Sequence, residues 1–368
     1  MITIASPVLA IVLAVQSPVE ELFKRAVALQ QQDKWPEAVS AWREYLAHAP
    51  RHAEAHANLG AALARQGNYE EAVASYQTAL ELNPRLTPVY YNLGLAHYRA
   101  GRYRRASDAL SRFLASAPDS AAAHRLLGLA LVESARDAEA APHLETALAA
   151  SPNDAAALYA LGLAYVRLHS AKLQPTVERL AVLPGGDALS RLLAGQSLLA
   201  ASNFAGALEA FQAAARLDAA LPRLHFSLGV AYLRQGHNDE ARSAFELELQ
   251  QLPRDFWTLY YLAYLHETEG KLDLGRERVS QALEVEPRSA DANALLGKIL
   301  MKQGQAARAV APLEIAVAEK PADSSTRFQL ARAYQASGRT ADAAREFAEV
   351  QRLKDQSLER EKSGRAKP

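Results

Sequence analysis

Three histidines spaced four apart, His48, His52 and His56, are the first residues whose type and spacing could do chemistry. Imidazoles at that interval on one helix face would hold a transition metal. Pro50 lies between His48 and the other two, so the three do not share one helix. His266-Glu267 opens a metalloprotease His-Glu-x-x-His pattern, but the second histidine is replaced by Gly270 and the motif fails. Gly185-Gly186 has no Gly-Lys-Ser/Thr after it to cradle a phosphate. No Gly-x-Ser-x-Gly elbow is present. Carboxylates such as Glu70, Glu71 and Glu139 read as solvated surface. No constellation for nucleophilic or acid–base work is found, so no catalytic, metal or cofactor residue is assigned and no enzymatic activity is expected.

Composition narrows the classes further. The 368 residues hold no Cys, which removes disulfides, thiolate zinc sites, iron–sulfur clusters and cysteine nucleophiles. Forty-one Lys+Arg balance 41 Asp+Glu, without the cationic excess that binding to phosphate backbones needs, so no nucleic-acid partner is expected. A hydrophobic content of 49% with 22% charged residues is that of a globular chain. Residues 1–17 read as a signal peptide or a short hydrophobic N-terminal segment: the apolar run Ile2–Val15 is too short to span a bilayer, and Val12-Leu13-Ala14 would serve as a cleavage site. No Lys or Arg precedes the run.

The elements that position everything else repeat. Ala26, Gly60, Gly94, Gly128, Gly162, Gly195, Gly229, Ala263, Gly297 and Ala331 step by 34 residues, with a single step of 33 before Gly195. Three further series share that period and the same one-residue deletion: Gly67, Gly101, Gly236, Gly270, Gly304 and Gly338; Ala38, Ala72, Ala106 and onward; and Pro50, Pro84, Pro118 and onward. Such self-similarity marks a repeat architecture. Within Ala53–Leu86, Leu59, Gly60 and Leu63 fall at helical spacing, Gly67 ends the helix, Ala72, Val73, Tyr76, Ala79 and Leu80 form a second helix, and Pro84 follows it. Gly60 on one helix and Ala72 on its partner read as the point of close approach. Thr87-Pro88, Asp119, Asp154, Asp255, Ser289 and Asp323 are the expected starts of first helices.

This pattern resembles the tetratricopeptide repeat, carried here by Leu93-Gly94, Ala106, Phe113 and Pro118, and by Leu228-Gly229, Tyr232, Ala241, Phe245 and Pro253. The likeness runs from residue 19 to about 357, in ten repeats. It implies an all-α solenoid, a right-handed superhelix whose first helices line a concave groove. By analogy with the family it also implies a non-catalytic scaffold that binds a protein or peptide segment. A self-assembling structural array, or a groove for a carbohydrate or small ligand, is the alternative. Repeats 1–5 occupy 19–187 and repeats 6–10 occupy 188–357, before a charged tail at 358–368. Repeat five departs from the pattern, with Gln174 and Glu178 where alanine and an aromatic are expected. Its second helix is expected from Pro175 to Pro184-Gly185-Gly186, as a hinge or as a degenerate repeat that stacks normally. Asp355 replaces the final proline, so the last helix is expected to run on through Arg352–Lys362.

Count each repeat so that the Gly60 series is position 8. Family resemblance then places positions 2, 5, 9 and 12 in the groove and 13 near its rim. Those positions supply the candidate partner-binding residues Arg65, Tyr91, Tyr98, Arg99, Arg125, Tyr159, Arg167, Phe226, Arg234, Trp257, Tyr260 and Tyr264. Met301, Phe328, Arg223, Lys298, Lys302 and Arg332 accompany them, against the acids Glu20, Glu54, Glu133, Glu267 and Asp291. Asn58 and Asn92 occupy a position used by the family's two-carboxylate clamp, but the clamp's other residues are missing; a ladder to a peptide backbone is their alternative role. The expected partner carries apolar anchors and some acidic residues. The composition and the N-terminal run together suggest a bacterial envelope protein, periplasmic or secreted, with a cytoplasmic protein as the alternative. Intact-mass measurement on the protein from its native source should then find an N-terminus between Val15 and Ser17.

Overall fold

The computed structural model describes residues 18–365, and the N-terminal segment assigned to 1–17 lies outside them. Twenty α-helices and no strand are present among the described residues. The chain divides into two compact units between Gly186 and Asp187. The first unit pairs α1 (Pro18–Gln31) with α2 (Trp35–His48), α3 (Ala53–Arg65) with α4 (Tyr69–Leu82), α5 (Thr87–Arg99) with α6 (Tyr103–Leu114), α7 (Ala121–Glu133) with α8 (Asp137–Ala150), and α9 (Ala155–Arg167) with α10 (Leu173–Ala181). The second pairs α11 (Gly186–Ala200) with α12 (Phe204–Leu217), α13 (Leu224–Arg234) with α14 (Asn238–Gln251), α15 (Phe256–Thr268) with α16 (Leu272–Val285), α17 (Ala290–Lys302) with α18 (Ala306–Glu319), and α19 (Ser324–Ala336) with α20 (Thr340–Arg365). Each unit is an α-solenoid of five helix pairs.

Position 8 sets how close the helices of a pair come. A Cβ on Gly60, Gly94, Gly128, Gly195, Gly229 or Gly297 would sit 2.4–2.7 Å from the side chain sixteen residues on: Tyr76, Leu110, Leu144, Phe211, Phe245 or Leu313. The partner of Gly60 is thus the Tyr76 ring, not Ala72 as the sequence suggested. The glycine opens a slot into which the large side chain of the second helix lies, and that side chain is buried in all six pairs.

The link between the two helices is also invariant. Asp33, Gly67, Gly101, Ala135, His169, Ser202, Gly236, Gly270, Gly304 and Gly338 all have φ between +50° and +82°. In each case the next residue's N–H bonds back to the carbonyl five residues earlier, at 2.8–3.0 Å, as from Asn68 to Leu63 and from Arg136 to Leu131. This is the Schellman closure, and glycine is its natural residue. Four of the ten turns therefore carry a side chain in the left-handed region.

Side chains cap the next repeat. Ser120, Asp154, Asp255, Ser289 and Asp323 accept from backbone N–H groups of α7, α9, α15, α17 and α19. Two expectations fail here. Asp119 stands one residue too early, and Ser120 caps α7 in its place. Thr87 is already helical, with Leu86 at the cap position and Pro88 in the first turn, where its missing N–H costs nothing. Position 4 ties back to the preceding proline: His56, His124, Asn293 and Arg327 bond the carbonyls of Pro50, Pro118, Pro287 and Pro321 at 2.8–3.0 Å.

Repeat five differs from the expectation. Its second helix, α10, begins at Leu173, before Pro175, and stops at Ala181. Proline within a first turn removes no needed donor, so the helix starts earlier than Pro175. Thr176 and Leu180 are buried, while Glu178 faces solvent and takes the Gln174 amide at 2.8 Å. A polar residue at position 24 thus shifts the buried face of the helix by two residues. At the other end, α20 continues through Arg352–Lys362, so the charged tail is helical to Arg365.

Ala135 is exposed at φ +56°. Ala135→Gly should raise unfolding stability by about 1 kcal/mol, and Gly304→Ala, at φ +72°, should lower it by a similar amount. Denaturant melts of the two variants check both signs.

Candidate functional site

First helices of successive pairs touch: α3 meets α5, α5 meets α7 and α7 meets α9 in the first unit, and α15 meets α17 and α17 meets α19 in the second. Successive second helices stand farther apart, and the space between them opens as clefts. One, of about 530 Å³, lies between α4 and α6 over His97; the other, of about 430 Å³, lies between α8 and α10 over Tyr165. Each stack is therefore tighter on its first-helix side, where the sequence places the candidate residues.

In the first unit many of these candidates are already engaged. The Arg65 guanidinium lies over the Trp35 ring, 5.5 Å from its centre. Tyr91 packs on Phe113 and Tyr98 on Tyr103, each at 5.4 Å between ring centres. Arg125 is ion-paired with Asp154, the cap of α9. Arg167 donates to the Val132 carbonyl at 2.9 Å and to Asp137 at 3.0 Å. These two arginines join repeats four and five. Arg99 is exposed and pairs with nothing among the described residues; Asn58 and Asn92 are half-buried with no side-chain partner, and Tyr159 is half-buried. Ala61, Leu95, Leu129 and Leu163, all at position 9, run half-buried down the middle of this face.

The second unit is more open. Phe226 lies under the Arg223 guanidinium at 4.1 Å and against Phe245 and Tyr261 at 5.9 Å. Trp257 packs its edge on Phe256 and Tyr260, at 5.0 and 5.8 Å, yet is 43% exposed. Tyr264 is 38% and Phe328 44% exposed. Tyr260 is different: burial pushes its hydroxyl up to about 12, as expected of a packed phenol. Arg234 and Arg332 are exposed and without partners among the described residues.

Two glutamates are buried: Glu267, which the sequence placed among the groove acids, and Glu248, which the sequence did not single out. Glu267, on the α15 groove face, is fully buried beneath Lys298 and Lys302, whose Nζ atoms lie 2.9 and 2.5 Å from its oxygens. Burial alone would raise its pKa, but hydrogen bonds from Lys302 and Lys298 outweigh that and hold the carboxyl below its ordinary value. Glu248, also fully buried, accepts the Phe226 N–H at 3.0 Å with one oxygen and leaves the other without a partner. Burial raises its pKa, against the pull of that N–H and of Arg223. The signal for Glu248 lay in the period, because Ala79, Ala147, Ala214, Ala282 and Ala316 hold the same position.

The three histidines spaced four apart do not converge. His52 meets Tyr45 at 2.5 Å and Glu54 at 3.2 Å, while His56 bonds Pro50. Among the described residues no group of three or more histidine, aspartate or glutamate side chains is arranged to hold a metal.

Residues 62–101 match a TPR-repeat family model, and residues 91–143, 132–173 and 192–256 match a second tetratricopeptide-repeat model. The chain is built of tetratricopeptide repeats. Residues 264–366 of this tetratricopeptide-repeat chain match a third model, that of a bacterial transcriptional activator domain. No curated protein matches the chain. Among solved structures, MamA from residue 41 onward, of Desulfovibrio magneticus RS-1, is 23% identical over 45% of this tetratricopeptide-repeat chain and 93% of its own, with a TM-score of 0.42. The Cut9–Hcn1 hetero-tetramer of the APC/C is 14% identical over 92% of this chain and 87% of that one, with a TM-score of 0.48.

The two buried glutamates should respond oppositely to charge removal. A carboxylate held below its ordinary pKa stabilises the fold above that value, and the contribution disappears as pH falls through the folded pKa. Glu267→Gln should therefore lower the thermal midpoint at pH 7 and converge on wild type in acid. Glu248 is raised, so its charged form costs stability above the folded pKa, and Glu248→Gln should raise the midpoint at pH 7 with no difference in acid. Melts from pH 3 to 8 read both signs.

Proposed function

We propose that this tetratricopeptide-repeat chain is a non-catalytic scaffold that holds a protein segment against the first-helix face of its repeats. The observation that carries this reading is the set of large aromatics left exposed on that face in the second unit: Trp257, Tyr264 and Phe328, beside the exposed Arg332. Trp257 touches Phe256 and Tyr260, and Phe328 touches Phe347, but the buried contacts of these helices come from other residues. Leu259, Leu262 and Ala263 make the buried contacts of α15, and Leu330 and Ala331 those of α19. Aromatics and arginine are the residue types on which binding energy concentrates. An apolar or aromatic anchor would sit on Trp257 and Tyr264, and an acidic residue would answer Arg332. In the first unit, Leu95, Leu129 and Leu163 offer an apolar strip beside the exposed Arg99.

The test begins with a partner captured on the immobilised full chain and identified by mass spectrometry. Trp257→Ala and Tyr264→Ala should each weaken its binding by about 2 kcal/mol, with the circular-dichroism spectrum and melting midpoint unchanged. Arg332→Ala should mainly slow association and flatten its salt dependence. Wild-type affinity in a folded Trp257→Ala/Tyr264→Ala double variant would sink the reading.

A further inference from the structure

His124 and His143 meet across the α7–α8 pair with their Nδ1 atoms 2.8 Å apart and ring centres 5.0 Å apart. The Nε2 of His124 lies 2.8 Å from the Pro118 carbonyl. A carbonyl only accepts, so Nε2 carries the hydrogen, and the neutral His124 ring aims a fixed lone pair from Nδ1 at its neighbour. A backbone carbonyl that fixes the tautomer and orientation of an imidazole is the outer-shell arrangement that metal-ligating histidines have. His56 supplies an internal comparison. Its Nε2 makes the same bond to Pro50, at 2.9 Å, but Ser75 stands nineteen residues on, where His143 follows His124. The carbonyl bond thus belongs to the repeat, and the second imidazole is particular to repeat four.

We propose that His124 and His143 form a binding site for a late divalent transition-metal ion, copper(II), nickel(II) or zinc(II), each ring donating through Nδ1. Metal–nitrogen bonds of about 2.0–2.1 Å at a tetrahedral ion place two ligand nitrogens roughly 3.3 Å apart, so the rings must part by about half an ångström and each turn its lone pair roughly 35° off the line between the two Nδ1 atoms. Both rings are half-buried, which leaves the ion a way in. Without metal, His143 donates its Nδ1 hydrogen to His124; on binding, that hydrogen moves to Nε2 of the same ring, and the neutral pair releases no net proton. Burial and the neighbouring His124 lower the His143 pKa, partly opposed by Glu139. Glu139, one turn before His143 on α8, is held by Arg136 at 2.8 and 2.7 Å. Water therefore completes the shell unless that pair opens. With two protein nitrogens, selectivity follows intrinsic affinity: copper(II) binds ahead of nickel(II) and zinc(II), while magnesium and calcium, which prefer oxygen, are not held.

Titration of the full chain with copper(II) and with zinc(II) at pH 7.5, followed by calorimetry and by the copper d–d band, tests the site. Wild type should take up one ion at this site. His143→Ala should lose that uptake by at least about tenfold while its melting midpoint holds. Ser75→His, which places a second ring beside His56, should add one equivalent. Absence of uptake by wild type, uptake that survives His143→Ala, or no added equivalent in Ser75→His overturns the proposal.

Discussion

Everything in this molecule depends on one steric relation: the absent side chain at position 8 against the large side chain sixteen residues later. The backbone of one helix can come near its partner only where a Cβ is missing or small, and Tyr76, Leu110, Leu144, Phe211, Phe245 and Leu313 take up the room so made. With interiors packed as densely as crystals, a fixed contact of this kind fixes the crossing of the pair. The left-handed turn follows from it. Two antiparallel helices at set distance leave room for a single closure, and ten turns adopt it even where the residue is Asp33, Ala135, His169 or Ser202. Backbone strain at those four is therefore imposed by packing, which outweighs local preference.

Neighbouring repeats are joined by a second, polar set of rules. Tyr165, Tyr232 and Tyr334, at position 11, bond Glu145, Gln212 and Glu314 of the repeat before. Arg125 and Arg223 reach the cap residues Asp154 and Asp255 of the repeat that follows. Because each cap already accepts from the backbone of its helix, the arginine joins a charge to an existing hydrogen-bonded site, which costs less desolvation than bringing two free ions together. His97, between Leu63 and Leu131 of the adjoining repeats, puts an imidazole at the same position. Its ring is buried with Nδ1 unpartnered, and the wider of the two outer clefts lies over it.

The period made the fold legible, because a residue type demanded by packing recurs at every 34th place. The turn series, the Gly60 series and the prolines located nearly every helix. Errors came where two neighbouring residues could serve, as with Asp119 and Ser120, or where a proline could sit inside a first turn, as with Pro88 and Pro175. The site was less legible for a different reason. Position within a repeat tells which way a side chain sets out, but not whether another repeat has claimed it. Arg125, Arg167 and Arg99 read alike in sequence, yet Arg125 and Arg167 are held by acidic partners that come from elsewhere in the repeat pattern. Trp257 and Tyr260, three residues apart, likewise divide into one exposed ring and one packed phenol.

It follows that specific chemistry belongs where a residue departs from its column. Glu248 stands in a column of alanines, and a buried carboxylate there is a cost the fold does not require. The column of His143 holds Ser75 and Ala109 in the two preceding repeats. Trp257 is the one aromatic in a column that elsewhere holds Glu, Pro, Ala, Leu, Arg, Asp and Ser, and its ring keeps water contact that a helix stabilised by Leu259 and Leu262 does not call for. In a repeat array the columns are paid for by packing, so residues that obey them say little about the partner. Those that break them, and are neither buried by the stack nor paired within it, are where a binding surface can be written without disturbing the fold.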